Sequence, residues 1–152
     1  MTTPDTIPVA YEDGYYTTHI GRCAGGAQFM AFVVATLPTP LPADWKRHKR
    51  VYAVLHTFGP GGEHRSTEAW LAGVTADGEA AVRDRAAAKR DEMVAALGDV
   101  ELCDVRVKLF SVRVDGHVFG LVDTSDPGLG PRVTLVPNDL LFLPPWDGTF
   151  ET

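Results

Sequence analysis

The sequence predicts an α+β protein, a mostly antiparallel sheet of about seven strands (ββββ-α-βββ) packed against one long helix. Three observations lead there. Residues 78–97 carry helical periodicity, while the segments around them are short runs of strand composition broken by Gly, Pro, Asn and Asp. Asp115-Gly116 sits between two alternating apolar runs, and Asp-Gly is a preferred two-residue hairpin turn because both residues tolerate positive φ.

In chain order, residues 1–10 read as a loose leader, since Pro4 and Pro8 interrupt regular structure, and residues 11–152 as a single α+β domain. Tyr15 to Arg22 has strand composition. Ala24-Gly25-Gly26 turns the chain and Ala27 to Leu37 returns as the second arm of a hairpin. Pro38, Pro40 and Pro42 stiffen the loop that follows. Arg50 to Phe58 is apolar on both alternating faces, the mark of a central strand. Gly59-Pro60-Gly61-Gly62 forms a flexible turn, and His64 to Val74 is the partner strand.

The helix is justified residue by residue. Val82, Ala86, Lys89, Met93, Ala96 and Leu97 share one side at three- and four-residue spacing, with Arg83, Arg85, Asp91 and Glu92 largely opposite. Asp77 is placed to cap the first amides, Glu79 suits the positive end of the dipole, and Gly98 can take the left-handed conformation that ends the helix. Lys89 on the apolar stripe reads as a stem lying along the edge with its amine in water. Beyond it, Cys103 to Val114 reads as one strand, and the Asp115-Gly116 turn pairs Val114 with His117, Val112 with Phe119 and Phe110 with Leu121. Arg132 to Val136 and Leu140 to Leu143 are the last strands, closed by Pro144-Pro145-Trp146.

Composition bounds the function. A hydrophobic share of 45% and a charged share of 22% are ordinary for a globular chain, and the longest apolar run, Phe29 to Ala35, is too short to span a bilayer. The first nine residues lack the basic and hydrophobic regions of a secretory signal, so a cytoplasmic location is the default expectation, with no membrane partner. The net charge of −6 argues against nucleic acid, which demands concentrated positive charge. The one basic cluster, Lys46-Arg47-His48-Lys49-Arg50, reads as a solvated loop. Cys23 and Cys103 are expected reduced and buried, and no close Cys/His pairs announce zinc.

Candidate chemistry is sparse. His56, His64 and Glu68 lie within one predicted hairpin, and a His/His/Glu set across it would suit a divalent metal or acid–base work. The spacing is not diagnostic, and the plainer reading packs His56 into the strand and leaves His64 in solvent. Cys23 follows Arg22 and lies four residues after His19, on the same face of an extended strand but too far for direct activation. The glycine loop at 59–62 lacks the Lys and Ser/Thr of a phosphate loop. No cofactor is expected. For binding, the aromatic residues Tyr15, Trp70 and Trp146, with Asp147 beside the last, are the candidate contact residues.

Several segments together resemble an uncharacterised bacterial family of small proteins, sometimes labelled formate hydrogenlyase regulatory protein. They are Tyr11-Glu12-Asp13-Gly14-Tyr15, Lys49 to His56, Val74-Thr75-Ala76-Asp77-Gly78-Glu79-Ala80, Asp115 to Leu121, and Pro137-Asn138-Asp139-Leu140 with Pro144-Pro145-Trp146-Asp147-Gly148. The resemblance implies a regulatory role and supplies no catalytic residues. DNA binding does not fit it here, because the chain is acidic and lacks a helix-turn-helix pattern. The expectation is a non-enzymatic cytosolic binding or regulatory domain acting through a protein surface, its partner another protein or a second copy in a homodimer. The alternative is a small enzyme or a metal- or small-molecule-binding protein with a histidine pocket between sheet and helix, using His56, His64, Glu68 or His19.

Overall fold

The computed structural model describes residues 3–152. Its strands are β1 (Thr6–Val9), β2 (Ile20–Arg22), β3 (Gln28–Thr36), β4 (Arg50–Phe58) and β5 (His64–Val74), followed by the helix α1 (Glu79–Ala95). Then come β6 (Glu101–Leu102), β7 (Val105–Lys108), β8 (Phe110–Val114), β9 (His117–Asp123), β10 (Val133–Val136) and β11 (Leu140–Phe142). The α+β class with a single α-helix holds among the described residues. The single sheet of about seven strands does not: the strands form three antiparallel sheets, ordered β5-β4-β3-β2-β6, β11-β10-β9-β8 and β1-β7.

The layers follow from which faces are apolar. β4 and β3 pair along their whole length, Gln28 opposite Phe58 through Thr36 opposite Arg50. On one face Phe29, Ala31, Val51, Ala53 and Leu55 meet Val82, Ala86 and Met93 of α1. On the other, Met30, Phe32, Val34, Tyr52, Val54 and Phe58 meet Phe110, Phe119, Leu121, Leu135, Leu140 and Phe142 of the four-stranded sheet, with Ile7, Val9, Val105 and Val107 of the ribbon. The five-stranded sheet is therefore the middle layer, which is why β4 is apolar on both faces. Each fully buried side chain of this kind contributes about 1.5–3 kcal/mol.

The Asp115-Gly116 hairpin has the expected register, Val114 opposite His117, Val112 opposite Phe119 and Phe110 opposite Leu121, with φ of 50° and 83° at the two turn residues. Lys89 lies as expected, half-buried with its amine 5.7 Å above the Trp70 ring and 3.3 Å from Glu92. Gly98 is left-handed at φ 74°. The basic cluster is a short turn with Lys46 and Lys49 each 5.7 Å from the Trp45 ring.

Other expectations are corrected. The leader contains β1, whose Ile7 and Val9 are fully buried; Pro8 is tolerated because β1 bonds on one side only, to β7. Met1 and Thr2 lie outside the described residues. Tyr15 to His19 is turn, not strand: Thr17 Oγ1 donates to the Ala10 carbonyl at 2.7 Å and Thr18 Oγ1 accepts from the Gly14 amide at 3.0 Å, so hydroxyls replace a ladder there. The run 103–114 divides at Leu109, where the chain leaves its pairing with β1 and joins β9. Asp77 leaves the first amides of α1 alone; its carboxylate accepts from the Val74 amide at 3.3 Å. Cys23 and Cys103 are free but half-buried rather than buried.

Candidate functional site

A long strand beside a short one creates a cleft. β3 has nine residues and β2 three, and β2 covers only Gln28 to Met30. The Ala31 amide donates to the His19 carbonyl at 2.9 Å, on the side of β3 away from β4. Backbone polarity alternates along an antiparallel strand, so the amides and carbonyls of Val33 and Ala35 face that same open side. They have no backbone partner there among the described residues. Phe32 and Val34 face β4 instead, opposite Val54 and Tyr52.

The open edge lies at the bottom of a cleft of about 310 Å³. Arg83 and Arg90 of α1 form one wall, Pro137 and Asn138 of the β10–β11 turn the other, and Tyr15, Tyr16, Thr18 and His19 close one end. Tyr15 and Tyr16 are 51% and 53% exposed, and Tyr15 is stacked on Phe150 with ring centroids 6.0 Å apart. Arg83 meets Glu79 at 3.5 Å and Arg90 meets Asp91 at 3.1 Å. His19 Nε2 lies 3.6 Å from Asp91. Burial, aided by Arg90, nevertheless outweighs Asp91 and lowers the His19 pKa, so at neutral pH this is a neutral imidazole beside a carboxylate rather than an ion pair.

His56 and His64 do come together, through Thr67. Its Oγ1 lies 2.8 Å from His56 Nδ1 and 2.8 Å from His64 Nε2, so the hydroxyl bridges the two rings, the tautomer of each ring setting which atom donates. Phe110 stacks on His64 at 4.5 Å and meets His56 edge-on at 4.9 Å. Burial, reinforced by His64, pushes His56 down to about 3. Burial also lowers His64, against the Ser66 backbone. A hydroxyl between imidazoles is in principle a nucleophile with its base. Here Thr67 is half-buried between the two rings, and other residues line the clefts.

The expected position and partners of this pair need correction. The histidines lie between the two larger sheets, on the face opposite α1, and not between sheet and helix. Glu68 pairs with Leu55 on the helix side, whereas His56 pairs with Thr67 on the other. The register shift between Thr57 and Phe58 puts Arg65 in excess and rotates His64 onto the face of Thr67. Glu68 thus cannot join the histidines, and no group of three or more His, Cys, Asp or Glu among the described residues is placed to hold a metal ion.

Cys23 contacts the Ala27 carbonyl at 3.7 Å, and burial raises its thiol pKa against the pull of Arg65, which disfavours the nucleophilic thiolate. Among the aromatic candidates, Tyr15 is at the cleft. Trp70 is half-buried between sheet and helix. Trp146 is half-buried against the main core with left-handed φ of 61°. Asp147 is exposed and accepts from the Thr149 hydroxyl at 2.7 Å and amide at 3.1 Å, bonds that lower its pKa.

The sequence does not mark as site residues Arg83 and Arg90, which lie among the charged side chains of α1, or the backbone of β3 itself. Its one available signal was the pair of threonines after Tyr16, which favour local hydroxyl–backbone bonds over a ladder. No helix among the described residues is long and apolar enough to cross a membrane. Comparison with family models, curated proteins and solved structures finds no match to this chain.

Proposed function

We propose that this protein is a non-enzymatic binding module that takes up an extended segment of another polypeptide as an added strand on β3. The observation that carries this is the open edge at Val33 and Ala35 set inside a walled cleft. Main-chain hydrogen bonds to a sheet edge give affinity with little demand on sequence, while alternate side chains meet the walls and give selectivity. Beyond Ala31, whose amide is already bonded to His19, Phe32 to Thr36 offers about 17 Å of strand at 3.3 Å per residue, the length of a normal short strand. Unprotected edges invite indiscriminate pairing; recessing this one between α1 and the β10–β11 turn restricts it to a slim, extended partner. A regulatory role, as the family resemblance implies, would act through that capture.

The test is a titration of isotope-labelled protein with an extended, β-prone hexapeptide followed by amide NMR. The Val33 and Ala35 amide signals move and their hydrogen exchange slows on binding. Peptide binding that leaves both amides unchanged contradicts the proposal.

A further inference from the structure

The cleft has a charge opposite to that of the molecule. The chain has 20 acidic and 14 basic side chains, yet the ionised side chains lining the cleft are Arg83 and Arg90. They are two turns apart on α1, about 10 Å along its axis. His19, at the closed end, adds a neutral imidazole because burial lowers its pKa. The acids that now meet the arginines, Glu79 and Asp91, are 56% and 62% exposed and do not line the cleft. Ion pairs so open to water are worth little, so a carboxylate arriving from the cleft side can share or replace them at small cost. Arginine also offers a planar fork matched to a carboxylate.

Building on the strand-accepting reading above, we infer that the segment taken up is acidic: an extended peptide with Glu or Asp at alternate positions on its face toward α1. Alternation is required because same-face residues of a strand recur about every 6.7 Å, so carboxylates on one face can run along the arginine wall while the intervening side chains turn toward Pro137 and Asn138. A second copy of this chain is the poorer occupant. Pairing β3 with itself about a two-fold axis is antiparallel and puts both α1 helices on the same face of the joined sheet. Arg83 and Arg90 of one copy then face those of the other, and like charges across a seam oppose association.

The experiment compares two hexapeptides of identical apolar residues, one with Glu and one with Gln at the alternate positions, by calorimetry and amide NMR. The Glu peptide binds at least about 10-fold more tightly at low ionic strength, and the advantage shrinks as salt is raised. The double variant Arg83→Gln/Arg90→Gln loses that advantage and binds the two peptides with equal affinity. Arg83→Gln alone, at a side chain 42% exposed, repeats the comparison without disturbing the more buried Arg90. Equal affinity for the two peptides, with Val33 and Ala35 amides shifting in both cases, overturns the acidic preference and leaves strand addition standing. Neither peptide moving those amides overturns both. Self-association that protects the same amides makes a second copy the occupant and overturns the inference.

Discussion

His56 is fully buried beneath Phe110, neutral, and tied to Thr67, an arrangement that links protonation to folding. Its folded pKa of about 3 lies below the ordinary histidine value of 6.5. The unfolded chain therefore binds a proton between those two values that the folded chain refuses, and stability falls as pH drops through that window. Above pH 6.5 both states are neutral and the term vanishes. At pH 4.5 the two-unit gap from the unfolded value corresponds to about 2.7 kcal/mol. Replacing His56→Leu removes the titrating ring but leaves Thr67 its bond to His64. Urea unfolding at pH 7 and pH 4.5 is expected to show a pH-dependent loss smaller by roughly 2–3 kcal/mol in that variant than in the parent. An unchanged loss contradicts the assignment.

Between elements, Gln28 is the stitch that joins the middle sheet to the ribbon. Its Oε1 accepts from the Arg106 amide at 2.8 Å, and its Nε2 donates to the carbonyls of Arg106 at 2.9 Å and Gly59 at 3.3 Å. Gln28→Leu leaves those buried and part-buried backbone groups without that partner and is expected to cost about 2–4 kcal/mol, measured by denaturant midpoint at unchanged slope. A cost below about 0.5 kcal/mol contradicts it. Elements whose evidence is local were readable in the sequence: α1 from its stripe, the β8–β9 hairpin from Asp115-Gly116, β4 from two apolar faces. What escaped depended on partners distant in the chain. β1 is a strand because β7 offers it a ladder, and the break at Leu109 exists because two sheets claim the two halves of one run. The bulge that turns His64 away from the face of Glu68 and onto that of His56 has the same character, since a one-residue shift reverses every face beyond it and the composition does not record it.

Across the whole molecule, three layers fix one unusual boundary. The middle sheet is covered by α1 on one face and by the four-stranded sheet on the other, yet β3 outruns β2 at its side and leaves backbone open between those covers. The cleft is thus a consequence of the layering, and its arginines belong to it because α1 spans β3, β4 and β5. No local motif encodes such a site, which is why only Tyr15 and His19 of its lining residues stood out in the sequence. The open edge is tested most directly by residue-resolved amide hydrogen exchange on the free protein. Val33 and Ala35 are expected to exchange at least about 100-fold faster than their neighbours Phe32 and Val34, whose amides face β4. Equal, slow exchange at all four would mean that the edge is already occupied, and would contradict the account.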